Sequence, residues 1–364
     1  MLLLAAILLL VLVALCGFAV SAAKPELTCQ DNAFNRQALA AVPRLGARYW
    51  PTPWLPGAHL QIAWRFLRDA LLPPLQYCRS EVLTMRDGGT TALHWLGSAL
   101  PDDTPILLAL PTITGTAQSM RDFVQDLQRQ TGWRVVVCER RGHGGLPLTR
   151  PRVNTMGCTS DLREQIAAVQ ARHPAAPLYA AGLSAGSALL VRYLGEQGAD
   201  TPIRAAVAFY PGYDIEVACA RSRPFYSRHM ASRLIEHFVT PHAEQFGEMP
   251  SYAACAEAAD LQGFHDNLYS LAGYDSREAY HAASNPVRVI AQIEVPLLVL
   301  NAADDPVCVL QNVRDHEGTF RQLPRAILAV TRHGSHCAHF SGWTAGRWGH
   351  ALAAEYLQAM NRRP

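Results

Sequence analysis

Short apolar runs that recur with helical patterns between them constrain this chain more than any other feature. They lie at 106–110, 133–138, 178–181, 203–209, 295–300 and 326–330. Apolar runs of this length that do not alternate with polar residues read as strands buried on both faces, and strands separated by helices pair in parallel. The spacing therefore predicts an α/β fold with a mostly parallel central sheet and flanking helices. Upstream, 79–86 and 91–96 flank Asp87-Gly88-Gly89. That is a hairpin signal, because Asp-Gly supplies the positive φ angles a tight turn needs. Ser160 and Asp161 open a helix over 162–172. Between Gly212 and Asn285 the strand rhythm stops, and His, Tyr, Arg and Ala dominate around a helical pattern at 230–238. An insertion there is expected to form a helical cap over the C-terminal edge of the sheet, where open α/β sheets bind ligands.

The residues from Met1 to Ala23 carry no charge and are mainly Leu, Ala, Val and Ile. As a helix, this run is long enough to cross a bilayer. A cleavable signal peptide is the alternative, since Val20, Ser21 and Ala22 form a small-residue site before Lys24. The lack of Lys or Arg ahead of the run, and its length, favour an uncleaved transmembrane helix in a single-pass membrane protein. Cleavage would instead give a secreted or periplasmic one. The expected organisation is an anchor over 1–23, an N-terminal extension over 24–78, a core formed by 79–212 and 286–364, and a cap over 213–285.

A formal net charge of +2 gives no long-range field for a polyanion, so nucleic acid is not expected as a partner. Nine cysteines without a C-x-x-C pair, most of them in apolar runs, read as buried thiols. Fourteen histidines include no H-E-x-x-H or EF-hand spacing, and neither a metal nor another cofactor is expected.

From Pro177 to Gly186 an apolar strand runs into Gly182-Leu-Ser184-Ala-Gly186 and then into a helical pattern from Ser187 to Gln197. Glycines flank a serine in this way where a nucleophile sits on a tight strand-to-helix turn. A serine hydroxyl needs a base, and the base needs an orienting acid, in the chain order Ser, acid, His. Downstream, 297–300 leads into Asn301-Ala-Ala-Asp304-Asp305-Pro306, and His333-Gly-Ser-His336 follows the next strand. Asp304 is expected to orient His336, which would take the proton of Ser184. Asp305 is the second candidate acid and otherwise a loop cap. His333 and His339 are expected on a loop or cap surface. For the oxyanion hole the expected donors are the backbone N–H groups of Ala185 and of Ile113, in the loop Pro111-Thr-Ile-Thr-Gly115-Thr116.

At these residues the chain resembles the AB hydrolase superfamily and, within it, the AB hydrolase type 4 family of alpha/beta-hydrolase domain-containing proteins. The matching segments run from His59-Leu60-Gln61 through Asp87-Gly88, 111–115, Arg141-Gly142-His143-Gly144-Gly145, 182–186 and 301–306 to Gly334-Ser335-His336. The resemblance implies the α/β-hydrolase fold, an N-terminal membrane helix, and Ser184, Asp304 and His336 as nucleophile, acid and base. Thr112, Ser187 and Ser335 stand where the family customarily has glycine. No His has an Asp five positions later, unlike the acyltransferase motif of some members. The expected activity is that of a serine esterase acting on acyl lipids or short- to medium-chain acyl esters through an acyl-enzyme on Ser184. The alternatives are acyl transfer to an alcohol, and a non-catalytic binding protein that keeps the fold.

Overall fold

The computed structural model describes residues 21–363 apart from 154, 155 and 157. Among these residues nine strands form one sheet: β1 (Glu26–Thr28), β2 (Arg79–Thr84), β3 (Thr90–Leu96), β4 (Ile106–Leu110), β5 (Arg134–Glu139), β6 (Leu178–Leu183), β7 (Ile203–Phe209), β8 (Leu297–Ala302) and β9 (Ala326–Thr331). Their order across the sheet is β1-β9-β8-β7-β6-β4-β5-β3-β2. Neighbours from β5 to β9 pair in parallel, whereas β1, β2 and β3 join antiparallel at the edges. This is the α/β-hydrolase fold, and the six expected runs are β4 to β9. Every residue of β4 is buried, which is why Ile-Leu-Leu-Ala-Leu shows no alternation. By contrast β2, at the outer edge, has no fully buried residue and alternates at its C-terminal end.

The larger helices are α1 (Ala33–Ala41), α2 (Ala58–Leu71), α3 (Arg121–Thr131), α4 (Thr159–Arg172), α5 (Ala185–Gln197), α6 (Ile215–Arg221), α7 (Pro224–Leu234), α8 (Leu261–Asn267), α9 (Arg277–Ser284) and α10 (Trp348–Asn361). One apolar cluster packs α1, α3 and α10 on one face of the sheet through Ala38, Phe123, Leu127, Leu352 and Tyr356. A second packs α4 and α5 on the other face through Leu162, Ile166, Leu190 and Leu194. Fully burying each such side chain contributes about 1.5–3 kcal/mol. From α6 to α9, between β7 and β8, the chain is helical and turn-rich, and a third cluster joins Ile215, Leu234, Phe264 and Tyr280 to Ala185.

The transmembrane helix and the single-pass membrane location require correction. Among the described residues no helix is long and apolar enough to cross a membrane. Most of the apolar run, residues 1–20, lies outside the described residues. Its end belongs to the folded body: Ala22 is buried, and the Ala23 carbonyl accepts the Tyr49 N–H at 2.9 Å. Apolarity alone does not separate lipid from a protein interior, and at the described end it is the interior that takes up Ala22.

Beside the sheet, Arg141 ties three elements together. Its guanidinium is almost fully buried and donates to both oxygens of Asp87, in the β2–β3 turn, at 2.7 and 2.8 Å, and to both of Asp161, in the first turn of α4, at 2.6 and 2.7 Å. Hydrogen bonds from Arg141 hold the Asp87 carboxyl below its ordinary pKa. Gly89 leaves the room this needs, since a Cβ there would stand 2.1 Å from the guanidinium. Removing one member of a buried ion pair is costly because the other charge stays behind. Arg141→Met is therefore expected to lower unfolding free energy by about 3–5 kcal/mol in urea titration; a loss under about 1 kcal/mol would contradict this role.

Candidate active site

Because β4, β6, β8 and β9 run parallel, the loops that follow them open on the same edge of the sheet. Those loops carry Ile113, Ser184, Asp305 and His336. Ser184 links β6 to α5 with φ of 52° and ψ of −116°, a strained conformation for a residue with a Cβ. Close packing imposes it. A Cβ on Gly182 would stand 2.5 Å from the Gly186 carbonyl oxygen, and one on Gly186 would stand 2.3 Å from that of Leu110. The turn closes only with both glycines in place.

His336 Nε2 lies 2.9 Å from Ser184 Oγ, and Nδ1 lies 2.8 Å from Asp305 Oδ2. An ionised carboxylate can only accept, so the ring proton is assigned to Nδ1 and Nε2 is left to receive the serine proton. Burial disfavours a charged His336, yet the Asp305 carboxylate beside it outweighs that penalty and raises the imidazole above the ordinary histidine range.

The acid against His336 is thus Asp305, where the sequence reading had favoured Asp304. Asp304 turns instead to the loop: its Oδ1 accepts the Ser335 N–H at 2.8 Å, and its Oδ2 lies 3.4 Å from His333 Nδ1. Adjacent acids at a strand end point in different directions, and order along the chain does not say which one faces the base. His339 also departs from expectation. It is buried under the site, with Nε2 2.6 Å from Thr331 Oγ1 and Nδ1 against the Tyr210 hydroxyl. Burial pushes it down to about 3, so the ring is neutral.

Two of the three residues standing in place of glycine find partners. Ser187 Oγ donates to the Ser184 carbonyl at 2.6 Å, and Ser335 Oγ donates to the Ala58 carbonyl at 2.8 Å, tying the His336 loop to α2. Beside Thr112, the chain is gripped from a direction the sequence did not reveal. The buried Arg140 guanidinium donates to the Thr112 carbonyl, and His143 Nε2 lies 3.0 Å from the Ile113 carbonyl. The Thr112 carbonyl and the Ile113 N–H belong to one trans peptide and point in opposite directions. Holding that carbonyl fixes the direction of the N–H. Ile113 and Ala185 both line the cleft that contains Ser184. Ala185 opens α5, where first-turn N–H groups lack partners inside the helix. Arg141 to Gly145 had entered only as a matching segment. Consecutive arginines at the end of a buried strand were the signal available.

Among the described residues, Asp305, Cys308 and His336 form a group with metal-ligating atoms, all within 4.8 Å of one another. Two of those three side chains are already hydrogen-bonded together. Cys138, Cys219, Cys255 and Cys308 are buried free thiols, and burial pushes Cys138 and Cys255 up to about 12.

The chain is similar to known proteins over most of its length. The family model described as serine aminopeptidase, S33 matches residues 104–340. Phospholipase ABHD3 of Mus musculus is 30% identical over 335 residues, covering 88% of this chain and 80% of that one. Monoacylglycerol lipase ABHD2 of Homo sapiens is 25% identical over 366 residues, covering 93% and 86%. Among solved structures, the hyperthermophilic esterase from the archaeon Pyrobaculum calidifontis shares the fold, with a TM-score of 0.54 and 14% identity over 84% of this chain and 93% of that one. The turn geometry gives a stability prediction: Gly186→Ala is expected to cost about 1–3 kcal/mol through overpacking, read as a lower urea midpoint. An unchanged midpoint would mean that the turn is looser than described.

Proposed function

Since the chain belongs to the S33 serine aminopeptidase family of α/β-hydrolases, we propose that it hydrolyses lipophilic carboxylic esters, with Ser184 as nucleophile, His336 as base and Asp305 as orienting acid. The observation that carries this reading is the unbroken pair of hydrogen bonds from Ser184 Oγ through the imidazole to a buried carboxylate. Ser184 Oγ attacks the ester carbon while His336 Nε2 takes its proton. Negative charge gathers on the former carbonyl oxygen, which the N–H groups of Ile113 and Ala185 receive. Collapse breaks the bond to the alcohol, which leaves with the proton from His336. Water then gives its proton to the same nitrogen and its oxygen to the acyl carbon, releasing the acid and restoring Ser184.

The apolar cleft wall supports a lipophilic substrate. The segment 213–285 is read as a cap that supplies part of that wall, through Ile215, Met230 and Leu261. The hydroxyls of Ser187 and Ser335, both satisfied, support turnover over a binding role that merely keeps the fold.

Two outcomes test the reading. A fluorophosphonate probe is expected to label the wild type and not Ser184→Ala, whose kcat on a p-nitrophenyl ester should fall about 10⁶-fold. Labelling that persists in the folded variant would remove Ser184 from its role. The second test uses pH. His336 accepts a proton only when neutral, and Asp305 raises its pKa, so kcat/KM is expected to fall with decreasing pH through a midpoint above about 6.5. Asp305→Asn should cut kcat about 10⁴-fold and move that midpoint to lower pH. Asp304→Asn should leave the midpoint in place. The reverse pattern would restore Asp304 as the acid.

A further inference from the structure

The cleft containing Ser184 encloses about 500 Å³, partly open to solvent, and Ile113, Met156, Ile215, Met230, Leu261 and Val307 make its wall apolar. Two buried polar side chains interrupt that wall. His265, on α8, is 1% exposed, and Ser222, at the end of α6, is 6% exposed. His265 Nδ1 lies 3.0 Å from the Tyr280 hydroxyl, but its Nε2 has no hydrogen-bond partner, and neither has the Ser222 hydroxyl. Buried polar atoms are normally paired, because burying one without a partner is costly. Both residues line the cleft, and two unpaired polar groups in one lining point to a ligand that bonds them.

We propose that His265 and Ser222 form a polar subsite for a neutral oxygen function, a hydroxyl or a carbonyl, carried by the substrate in addition to the scissile ester. This rests on reading the cleft as that of an ester hydrolase. Burial, with His281 nearby, holds His265 down to about 3, so the ring is uncharged. Among the described residues no Lys or Arg lines the cleft. A carboxylate or phosphate would therefore be desolvated without a counter-charge, which selects a neutral group. Assigning the Tyr280 hydroxyl as donor to Nδ1 places the His265 proton on Nε2, which can then donate. The Ser222 hydroxyl can donate or accept. A substrate hydroxyl would accept from His265 and donate to Ser222, and a carbonyl would accept from either. A plain alkyl ester would leave both protein atoms unpaired, and that difference would generate selectivity.

Matched esters test this: p-nitrophenyl alkanoates against their hydroxy and oxo derivatives, and alkyl esters against the same esters with a hydroxyl on the alcohol side. In wild type, at least one oxygenated ester is expected to exceed its plain partner about tenfold in kcat/KM. His265→Phe and Ser222→Ala should each bring that ratio towards one, and His265→Gln, which keeps a donor, should restore part of it. Ser222→Ala removes one small group and guards against a folding defect in the His265 variants. Calorimetric binding of the same esters to Ser184→Ala protein reads the preference without turnover. Preference retained without hydrolysis in wild type would overturn the enzyme reading and leave the subsite standing. Equal affinity for plain and oxygenated esters, or a wild-type ratio unmoved in both His265→Phe and Ser222→Ala, would overturn the subsite.

Discussion

A carboxylate removed from water must be met by donors, and Asp305 is met on both oxygens. Its side chain has no exposed surface. Oδ1 accepts the N–H groups of Val307 and Cys308 at 2.7 and 2.9 Å, while Oδ2 faces His336 at 2.8 Å. Each bond removes rotational freedom, so the imidazole meets a carboxylate held in one orientation. The pairing of β8 with β9, in register to Ala302 and Thr331, delivers the acid loop and the histidine loop side by side. The site's electrostatics thus depend on the sheet, and the sheet on the two-sided burial of its parallel strands.

The strain at Ser184 and the grip on the loop after β4 are two parts of one arrangement. Gly182 and Gly186 let α5 start close against β6 and β4, which raises the serine above the sheet edge. The loop it faces is held from behind by Arg140 and His143. Arg140 and Arg141 are neighbours with divergent tasks. One fixes a peptide at the cleft, and the other locks the hairpin turn to α4. The end of β5 therefore couples stability to the geometry of the cleft.

Much of this was legible in the chain. Buried parallel strands lack alternation, so β4 to β9 stood out, and the glycines around Ser184 marked the turn. Ser184 and His336 were paired by chain order, and the structure brings them together. The choice between Asp304 and Asp305 was not legible, because it depends on which way each side chain leaves the end of β8. Nor was β1, three residues whose partners, Leu328 to Val330, lie near the far end of the chain. Arg140 escaped notice because its contact, a backbone carbonyl, leaves no mark in sequence. The apolar run at the start of the chain suggested a membrane span, but at its described end Ala22 is buried and Ala23 bonds to Tyr49.

The central claim, that Asp305 and not Asp304 holds the imidazole facing Ser184, has a direct spectroscopic test. A proton on His336 Nδ1 shared with a buried carboxylate gives a far-downfield resonance in the one-dimensional proton spectrum. That resonance is expected in wild type and in Asp304→Asn, and should vanish in Asp305→Asn and in His336→Gln. Its loss in Asp304→Asn, with persistence in Asp305→Asn, would contradict the account.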